Sequence, residues 1–165
     1  MPEQRRHELG PYEPIAEWAF GCLIVWHQLG ETTGGVLSVA EMVVPRGSEP
    51  PIHLHSREDE LCFVLEGEVT MHRGLDRIAA GPGTSVWLPR GIQHGFRVHT
   101  DTARVLHQYT PAGIEKAHRA FGTAATGRVL PPAAPHHREQ AEIEAEFARY
   151  GVTLVGPAAG PGWQV

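Results

Sequence analysis

The chain has 165 residues and a formal net charge of −5, a length typical of one domain that buries its own core. The negative charge and the absence of a Lys/Arg run argue against nucleic acid or an anionic membrane as a partner. No run of 18 apolar residues occurs, and the N-terminal segment MPEQRRHELG lacks the apolar core of a secretion signal, so we expect a cytoplasmic protein without a membrane partner.

Short runs of β-branched and aromatic residues, separated by glycine and proline, fill the chain from residue 20 to residue 109. The 19 glycines and 14 prolines favour turns and short strands over long helices. The runs at 20–29 and 36–44 predict two strands with a turn at Thr33-Gly34-Gly35 between them. Further strands are predicted at 52–56, 60–65, 68–73, 76–79, 84–88, 92–98 and 103–109. Strands that follow one another without intervening helices indicate an antiparallel sandwich or barrel.

The pattern changes after Pro111. The sequence predicts a helix at 112–121 and an amphipathic helix at 136–150. Between them, 122–135 is predicted to be a linker with too little apolar content to pack on its own. Gly151 stands where a C-terminal stop of the last helix belongs. The apolar stripe of this helix consists of Ile143, Phe147 and Tyr150. We expect the stripe to dock onto the barrel or onto a second subunit.

The segment GSEPPIHLHSREDELCFVLEG at 47–67 brings two histidines and a glutamate together at short spacing. Because side chains alternate between the two faces of a strand, His53 and His55 point the same way. The polar segment 56–59 can turn the chain back antiparallel, which would place Glu60 opposite the two imidazoles. Imidazole and carboxylate together suit a divalent transition metal such as iron, nickel, manganese, cobalt, copper or zinc. Without an ion, burying these groups would be costly unless each found another partner.

A second pattern, GTSVWLPRGIQH at 83–94, begins after a gap of 15 residues. Together the two patterns resemble the paired motifs of the cupin superfamily, in the same order. The resemblance implies an all-β fold, an antiparallel jelly-roll (cupin) barrel, here with a C-terminal helical extension. It also implies that one divalent transition metal ion is bound inside the barrel by His53, His55, Glu60 and His94. Val98 departs from the second motif, where Asn is common, but that Asn is not a ligand.

We therefore expect a single domain in three parts. Residues 1–33 would form an N-terminal arm with the first strand, and residues 34–110 would form a barrel core carrying both motifs. Residues 111–165 would form a C-terminal part of helix, linker and amphipathic helix. The strand after Glu60 is apolar on both faces, so its outward face must also be covered. A homodimer interface would cover it, or the N-terminal segment around Trp18 and Phe20.

From about Gly30 to Pro157 the chain resembles single-domain bacterial cupins related to quercetin dioxygenase. That resemblance implies a dioxygenase that cleaves a flavonol or a related phenolic or enolic substrate, bound to the metal through its deprotonated oxygen, with dioxygen as the second substrate. Glu60 would be both a ligand and the general base for the substrate hydroxyl. Two alternatives stay open: a non-oxidative isomerase, cyclase or decarboxylase on a polyketide-like or sugar substrate, and a non-catalytic small-molecule binder.

Alternation along the strands also predicts which residues face the barrel interior. The candidates for core packing or substrate contact are Met42, Val44, Cys62, Val64, Phe96 and Val98. Cys22 and Cys62 are expected to be buried free thiols. Sequence spacing gives no metal role to the remaining histidines, His7, His27, His72, His99, His107, His118, His136 and His137.

Overall fold

The computed structural model describes residues 13–132 and 139–158, and in these ranges the chain forms two antiparallel sheets packed face to face. The strands are β1 (Ile15–Ala19), β2 (Cys22–Gln28), β3 (Ser38–Pro45), β4 (Pro51–His55), β5 (Asp59–Glu66), β6 (Val69–Arg73), β7 (Asp76–Ala80), β8 (Ser85–Leu88), β9 (His94–Val98), β10 (Thr102–Thr110), β11 (Thr123–Ala124) and β12 (Val152–Ala158). One sheet has the order β11-β1-β2-β3-β10-β5-β8, and the other β12-β4-β9-β6-β7. The predicted all-β jelly-roll architecture is confirmed.

All nine strands predicted from the sequence are present as β2 to β10, and their ends differ from the prediction by at most two residues. β1, β11 and β12 were not predicted. β12 begins with the mostly β-branched run VTLV directly after Gly151, and it pairs with β4. A short helix α1 (Gly30–Thr33) precedes the predicted turn, where Gly34 and Gly35 both have positive φ.

The core lies between the two sheets and follows the predicted alternation. Met42, Val44, Cys62, Val64, Phe96 and Val98 all belong to one buried apolar cluster. Trp26, which is fully buried, packs in the same cluster from β2. Cys22 and Cys62 are free and buried, as predicted.

The connection between β4 and β5 differs from the prediction. The two strands do not pair, because β4 belongs to the five-stranded sheet and β5 to the seven-stranded sheet. Residues 56–58 therefore carry the chain across the sandwich rather than around a hairpin. Glu60 still comes to lie opposite the histidines of β4, but from the facing sheet.

Two helices cover one end of the sandwich. α2 (Glu115–Ala120) and α3 (Gln140–Arg149) are shorter than the predicted helices, and the predicted start of α3 at His136 lies outside the described residues. Ile143, Phe147 and Tyr150 pack in a second apolar cluster with Ile114 and Phe121, so the stripe docks onto this chain's own barrel. The segment between the helices is more than a linker, because Thr123–Ala124 pairs with β1.

The outward face of β5 remains half-buried. Leu61, Phe63 and Leu65 lie on that face. The suggestion that the segment around Trp18 and Phe20 covers them is wrong, because three strands separate β1 from β5 and Phe20 packs against Phe121 and Phe147 instead. Coverage by a second copy stays a prediction. Within the described ranges no helix is long and apolar enough to cross a membrane.

Candidate metal centre and adjoining cavity

Four side chains from both sheets converge inside the sandwich. His53 and His94 are direct neighbours on β4 and β9, and one ligand atom from each of His53, His55, Glu60 and His94 lies within 4.8 Å of the others. Oε2 of Glu60 is 3.2 Å from Nε2 of His94 and 3.7 Å from Nε2 of His55. Gly95 permits the close approach of β4, because a Cβ there would lie 2.8 Å from Cδ1 of Ile52.

Each of the three imidazoles is held through its Nδ1. His53 and His94 lie close to backbone carbonyl oxygens, of Pro51 at 2.8 Å and of Ile92 at 2.9 Å. His55 Nδ1 lies 3.3 Å from Oε2 of the buried Glu58. An ion would bind these rings with the proton on Nδ1, which leaves all three Nε2 atoms as lone-pair donors.

The role of Glu58 was missed from the sequence, where it counted only as part of a polar turn. The spacing His55-x-x-Glu58 was a usable signal, because histidines that bind metals commonly donate their other N–H to a carboxylate. Glu58 is only 2% exposed, so its carboxylate needs a partner, and His55 supplies one.

The pKa values of these groups favour an ionised carboxylate at Glu60 and a neutral ring at His53. Burial lowers the pKa of His53 well below its usual range, with His94 and His55 adding to the effect. Burial disfavours ionisation of Glu60, but hydrogen bonds from His107 and His94 outweigh it and hold its pKa well below the usual range. Burial likewise opposes a charged His94, yet the hydrogen bond to Glu60 raises its pKa.

This donor set fits a divalent transition metal. Three imidazole nitrogens and one carboxylate oxygen are ligands that iron, nickel, manganese, cobalt, copper and zinc all accept. The buried carboxylate supplies one negative charge among neutral nitrogens, and the Nδ1 contacts fix the ring orientations in advance.

The other oxygen of Glu60 faces away from the imidazoles. His107 donates from Nδ1 to Glu60 Oε1 at 2.6 Å, and the Cys62 thiol donates to the same oxygen at 3.1 Å. The sequence assigned His107 no metal role, and its contact with Glu60 was not foreseen. The contact arises because β10 pairs with β5 in a register that sets His107 opposite Cys62, and sequence spacing does not reveal which distant strands pair.

A cavity of about 1460 Å³ opens from this centre toward the helices. Met42 and Val44 line it, whereas Cys62, Val64 and Phe96 lie in the core and are not among its described lining residues. Tyr109 lines it beside the centre, with its ring 5.9 Å from that of His55 and 6.0 Å from that of His107. Burial, together with the nearby Glu60, raises the pKa of Tyr109 well above its usual range.

The part of the cavity against the helices, which we call the vestibule, is walled by apolar and aromatic side chains from α2, α3 and the residues that flank β1 and α2. Its members are Phe20, His118, Phe121, Ile143 and Phe147. The His118 ring is 5.1 Å from that of Phe147 and 5.9 Å from that of Trp26. Nδ1 of His118 has no hydrogen-bond partner among the described residues, and burial, with His55 and His107, lowers its pKa to about 3. His118 was also missed as a cavity residue, because the sequence does not show where α2 docks.

Charge is distributed unevenly around the cavity. Its described lining includes the carboxylates Glu49, Glu60 and Glu144 but no lysine or arginine. A multiply charged anion would find no fixed cation among the described residues that line this space.

Comparison with known proteins agrees with the fold and the motifs. Residues 40–109 match the family model described as Cupin domain. Quercetin 2,3-dioxygenase of Bacillus subtilis is 25% identical over 101 residues, which are 61% of this chain and 30% of that protein. The chain thus spans less than a third of that relative's length.

Solved structures with the same architecture are more distant in sequence. An RmlC-like cupin from Shewanella frigidimarina has a TM-score of 0.55 at 18% identity, covering 62% of this chain and 88% of that one. A predicted oxalate decarboxylase from Thermotoga maritima has a TM-score of 0.54 at 18% identity, covering 59% and 93%. At this identity the two structures support the fold alone.

Proposed function

We propose that this chain is a cupin and a metal-dependent dioxygenase that cleaves a flavonol or a related phenolic or enolic substrate. The observation that carries the proposal is that the cluster of possible metal ligands lies at one end of the cavity. A cluster of three imidazoles and one carboxylate opens directly into a cavity walled by aromatic rings and without a described lysine or arginine. Such a cavity favours a flat, uncharged molecule that reaches the cluster with a hydroxyl group.

The metal centre rests on His53, His55, Glu60 and His94. A divalent transition ion held there would supply Lewis acidity and redox chemistry, and would lower the pKa of a hydroxyl that reaches it. Glu60 is a weak base by itself because its pKa is held below the usual range. Its carboxylate would therefore accept the substrate proton only once that hydroxyl has become more acidic.

The remaining cavity residues would bind the substrate and exclude water. Phe121, Ile143 and Phe147 close the vestibule above the centre, and Met42 and Val44 form apolar wall nearer to it. An aromatic substrate would lose its hydration on entering, which strengthens polar interactions at the inner end. Tyr109, beside the centre, would offer its phenol group to a second oxygen of the substrate.

A non-oxidative isomerase, cyclase or decarboxylase is the second candidate. It is favoured by the ionisable side chains around the inner end, since Glu60, His107 and Tyr109 could move protons without dioxygen. Within this class, small polyanions such as oxalate are disfavoured because the described lining holds no lysine or arginine. A neutral polyketide-like substrate fits better.

Oxygen uptake with a panel of flavonols separates the two candidates. Protein loaded in turn with iron, nickel, cobalt or manganese should consume one dioxygen per flavonol cleaved, with both labelled oxygen atoms found in the products. Glu60→Gln should lower turnover by about 100-fold, the usual contribution of a general base. Turnover without oxygen uptake would contradict the dioxygenase and support the second candidate, and flavonol binding without turnover would support a binder.

A further inference from the structure

We propose that His107 is the positioning residue that fixes Glu60, holding one carboxylate oxygen so that the other faces the three imidazoles. This inference rests on the metal centre of the proposed function and adds a residue to it. His107 lies outside both motifs. It stands on β10, more than ten residues beyond the second motif.

The two oxygens of Glu60 have separate partners. Oε1 accepts from His107 Nδ1 at 2.6 Å and from the Cys62 thiol at 3.1 Å. Oε2 lies 3.2 Å from His94 Nε2 and 3.7 Å from His55 Nε2. Because Oε1 is occupied by two donors on the far side, Glu60 is set to offer a single oxygen to an ion.

The position of His107 itself is firmly defined. The strand pairing of β10 with β5 sets it opposite Cys62, and its ring stacks on Tyr109 at 6.0 Å with an interplanar angle of 7°. The ring is buried, so the strong contact to Glu60 is shielded from competing water. A donor fixed in this position favours the carboxylate orientation in which Oε2 faces the three imidazoles.

His107 is also a costly residue for a plain core position. Its Nε2 is buried with no hydrogen-bond partner among the described residues. A phenylalanine or leucine would fill the space without leaving a buried polar atom unsatisfied. The bond from Nδ1 to Glu60 is the observed feature that an apolar residue could not supply.

A competing arrangement uses the same three groups as ligands. Glu60, Cys62 and His107 also place one ligand atom each within 4.8 Å of one another, which would allow a second ion. The 2.6 and 3.1 Å separations from Glu60 Oε1 are those of hydrogen bonds that use the Nδ1–H of His107 and the S–H of Cys62, and the 3.2 Å between Nδ1 and Sγ separates the two donors. Hydrogen bonding is therefore the arrangement that we propose.

Cobalt binding tests the role of His107 without relying on turnover. The Kd for Co²⁺ and the visible spectrum of bound Co²⁺ would be measured for the wild type, His107→Phe and His107→Asn. We expect His107→Phe to weaken binding by about 10- to 100-fold and to change the spectrum, because Glu60 loses its main donor. His107→Asn, whose amide N–H takes the place of Nδ1–H, should recover most of the affinity. The matched control is His72→Phe, the same change at a buried histidine of β6 that is not among the described lining residues of the cavity, and it should bind as the wild type does.

The outcomes distinguish this inference from the metal centre. A wild type that binds no Co²⁺ would overturn both, whereas a wild type that binds and a His107→Phe variant with the same Kd and spectrum would overturn only the role of His107. Two ions per chain, with a near-ultraviolet thiolate band that Cys62→Ala removes, would overturn it in favour of the second site.

A measurement on the wild type covers the case in which His107→Phe does not fold. Long-range ¹H–¹⁵N correlation of the imidazoles in zinc-loaded protein reports which nitrogen of His107 carries the proton. A proton on Nδ1 supports the proposal, and a proton on Nε2 alone overturns it.

Discussion

The inner end of the cavity and the vestibule differ in how their polar groups are held. At the inner end, His53, His55 and His94 are each held through Nδ1, and both oxygens of Glu60 have close neighbours. In the vestibule, apolar rings form the walls, and Nδ1 of His118 has no hydrogen-bond partner among the described residues. The first region is preorganised for a charged ligand and the second for an apolar one.

The difference assigns separate tasks to the two regions. The inner end is built from β5 and β10 of one sheet and β4 and β9 of the other, whereas the vestibule comes from the end of β1 and the C-terminal helices. Changes in the vestibule should therefore alter substrate preference and leave metal affinity unchanged. Changes at residues that contact Nδ1 of the imidazoles should alter metal affinity and leave substrate preference unchanged.

The largest expected effect of a change behind the imidazoles is a loss of Co²⁺ affinity on substitution of Glu58. Glu58→Ala removes the carboxylate beside His55 Nδ1, so the ring loses its fixed orientation and Co²⁺ affinity should fall by about 10- to 100-fold. The matched control is Glu144→Ala, which removes an exposed carboxylate from the cavity lining and should leave the affinity unchanged. Equal Co²⁺ affinities for the two variants, measured by competition with a chelator, would contradict the role of Glu58.

At Phe147 we expect a substitution to weaken flavonol binding and to leave Co²⁺ affinity unchanged. Phe147→Leu removes an aromatic ring that stacks on Phe121, so a flavonol should bind about two- to tenfold more weakly, as for the loss of one aromatic contact. Co²⁺ affinity should stay within twofold of the wild type. Phe63→Leu, on the outward face of β5, is the control, and calorimetric titration with a flavonol gives the Kd of each. A loss of metal affinity in Phe147→Leu would remove the proposed separation of tasks.

The smallest effect concerns the pH dependence of stability of the metal-free protein. The pKa of His118 is about 3 in the folded chain and its usual value is 6.5, so below pH 6.5 the unfolded chain binds a proton that the folded chain does not. Stability is thus fully present above pH 6.5 and is lost as the pH falls toward 3, by at most about 1.4 kcal/mol per pH unit. Urea unfolding at several pH values between 6 and 4 gives the free energy of unfolding as a function of pH. This free energy should fall less steeply with decreasing pH in His118→Phe than in the wild type. An unchanged slope would mean that His118 takes up its proton in the folded state.

The sequence predicted the inner end better than the vestibule. His53, His55, Glu60 and His94 stand in two compact motifs, and the alternation of β5 correctly placed Cys62 and Val64 in the core. Spacing within a motif depends on local geometry, namely the strand period and the turns marked by glycine and proline.

The residues that the sequence did not reveal depend on long-range pairing or docking. His107 meets Glu60 only because β10 lies beside β5, and His118 reaches the cavity only because α2 packs against it. The crossing from β4 to the facing sheet was likewise read as a hairpin, because a four-residue polar segment suits either connection. A homodimer through Leu61, Phe63 and Leu65 stays a prediction that light scattering can test.

Metal stoichiometry tests the central claim most directly. Protein purified without added metal, and then titrated with Co²⁺, should bind one ion per chain, and His94→Ala should lose that ion while His99→Ala, at an exposed histidine, keeps it. A wild type that binds no ion, or a His94→Ala variant that binds as tightly as the wild type, would contradict the convergence of these four side chains on a metal.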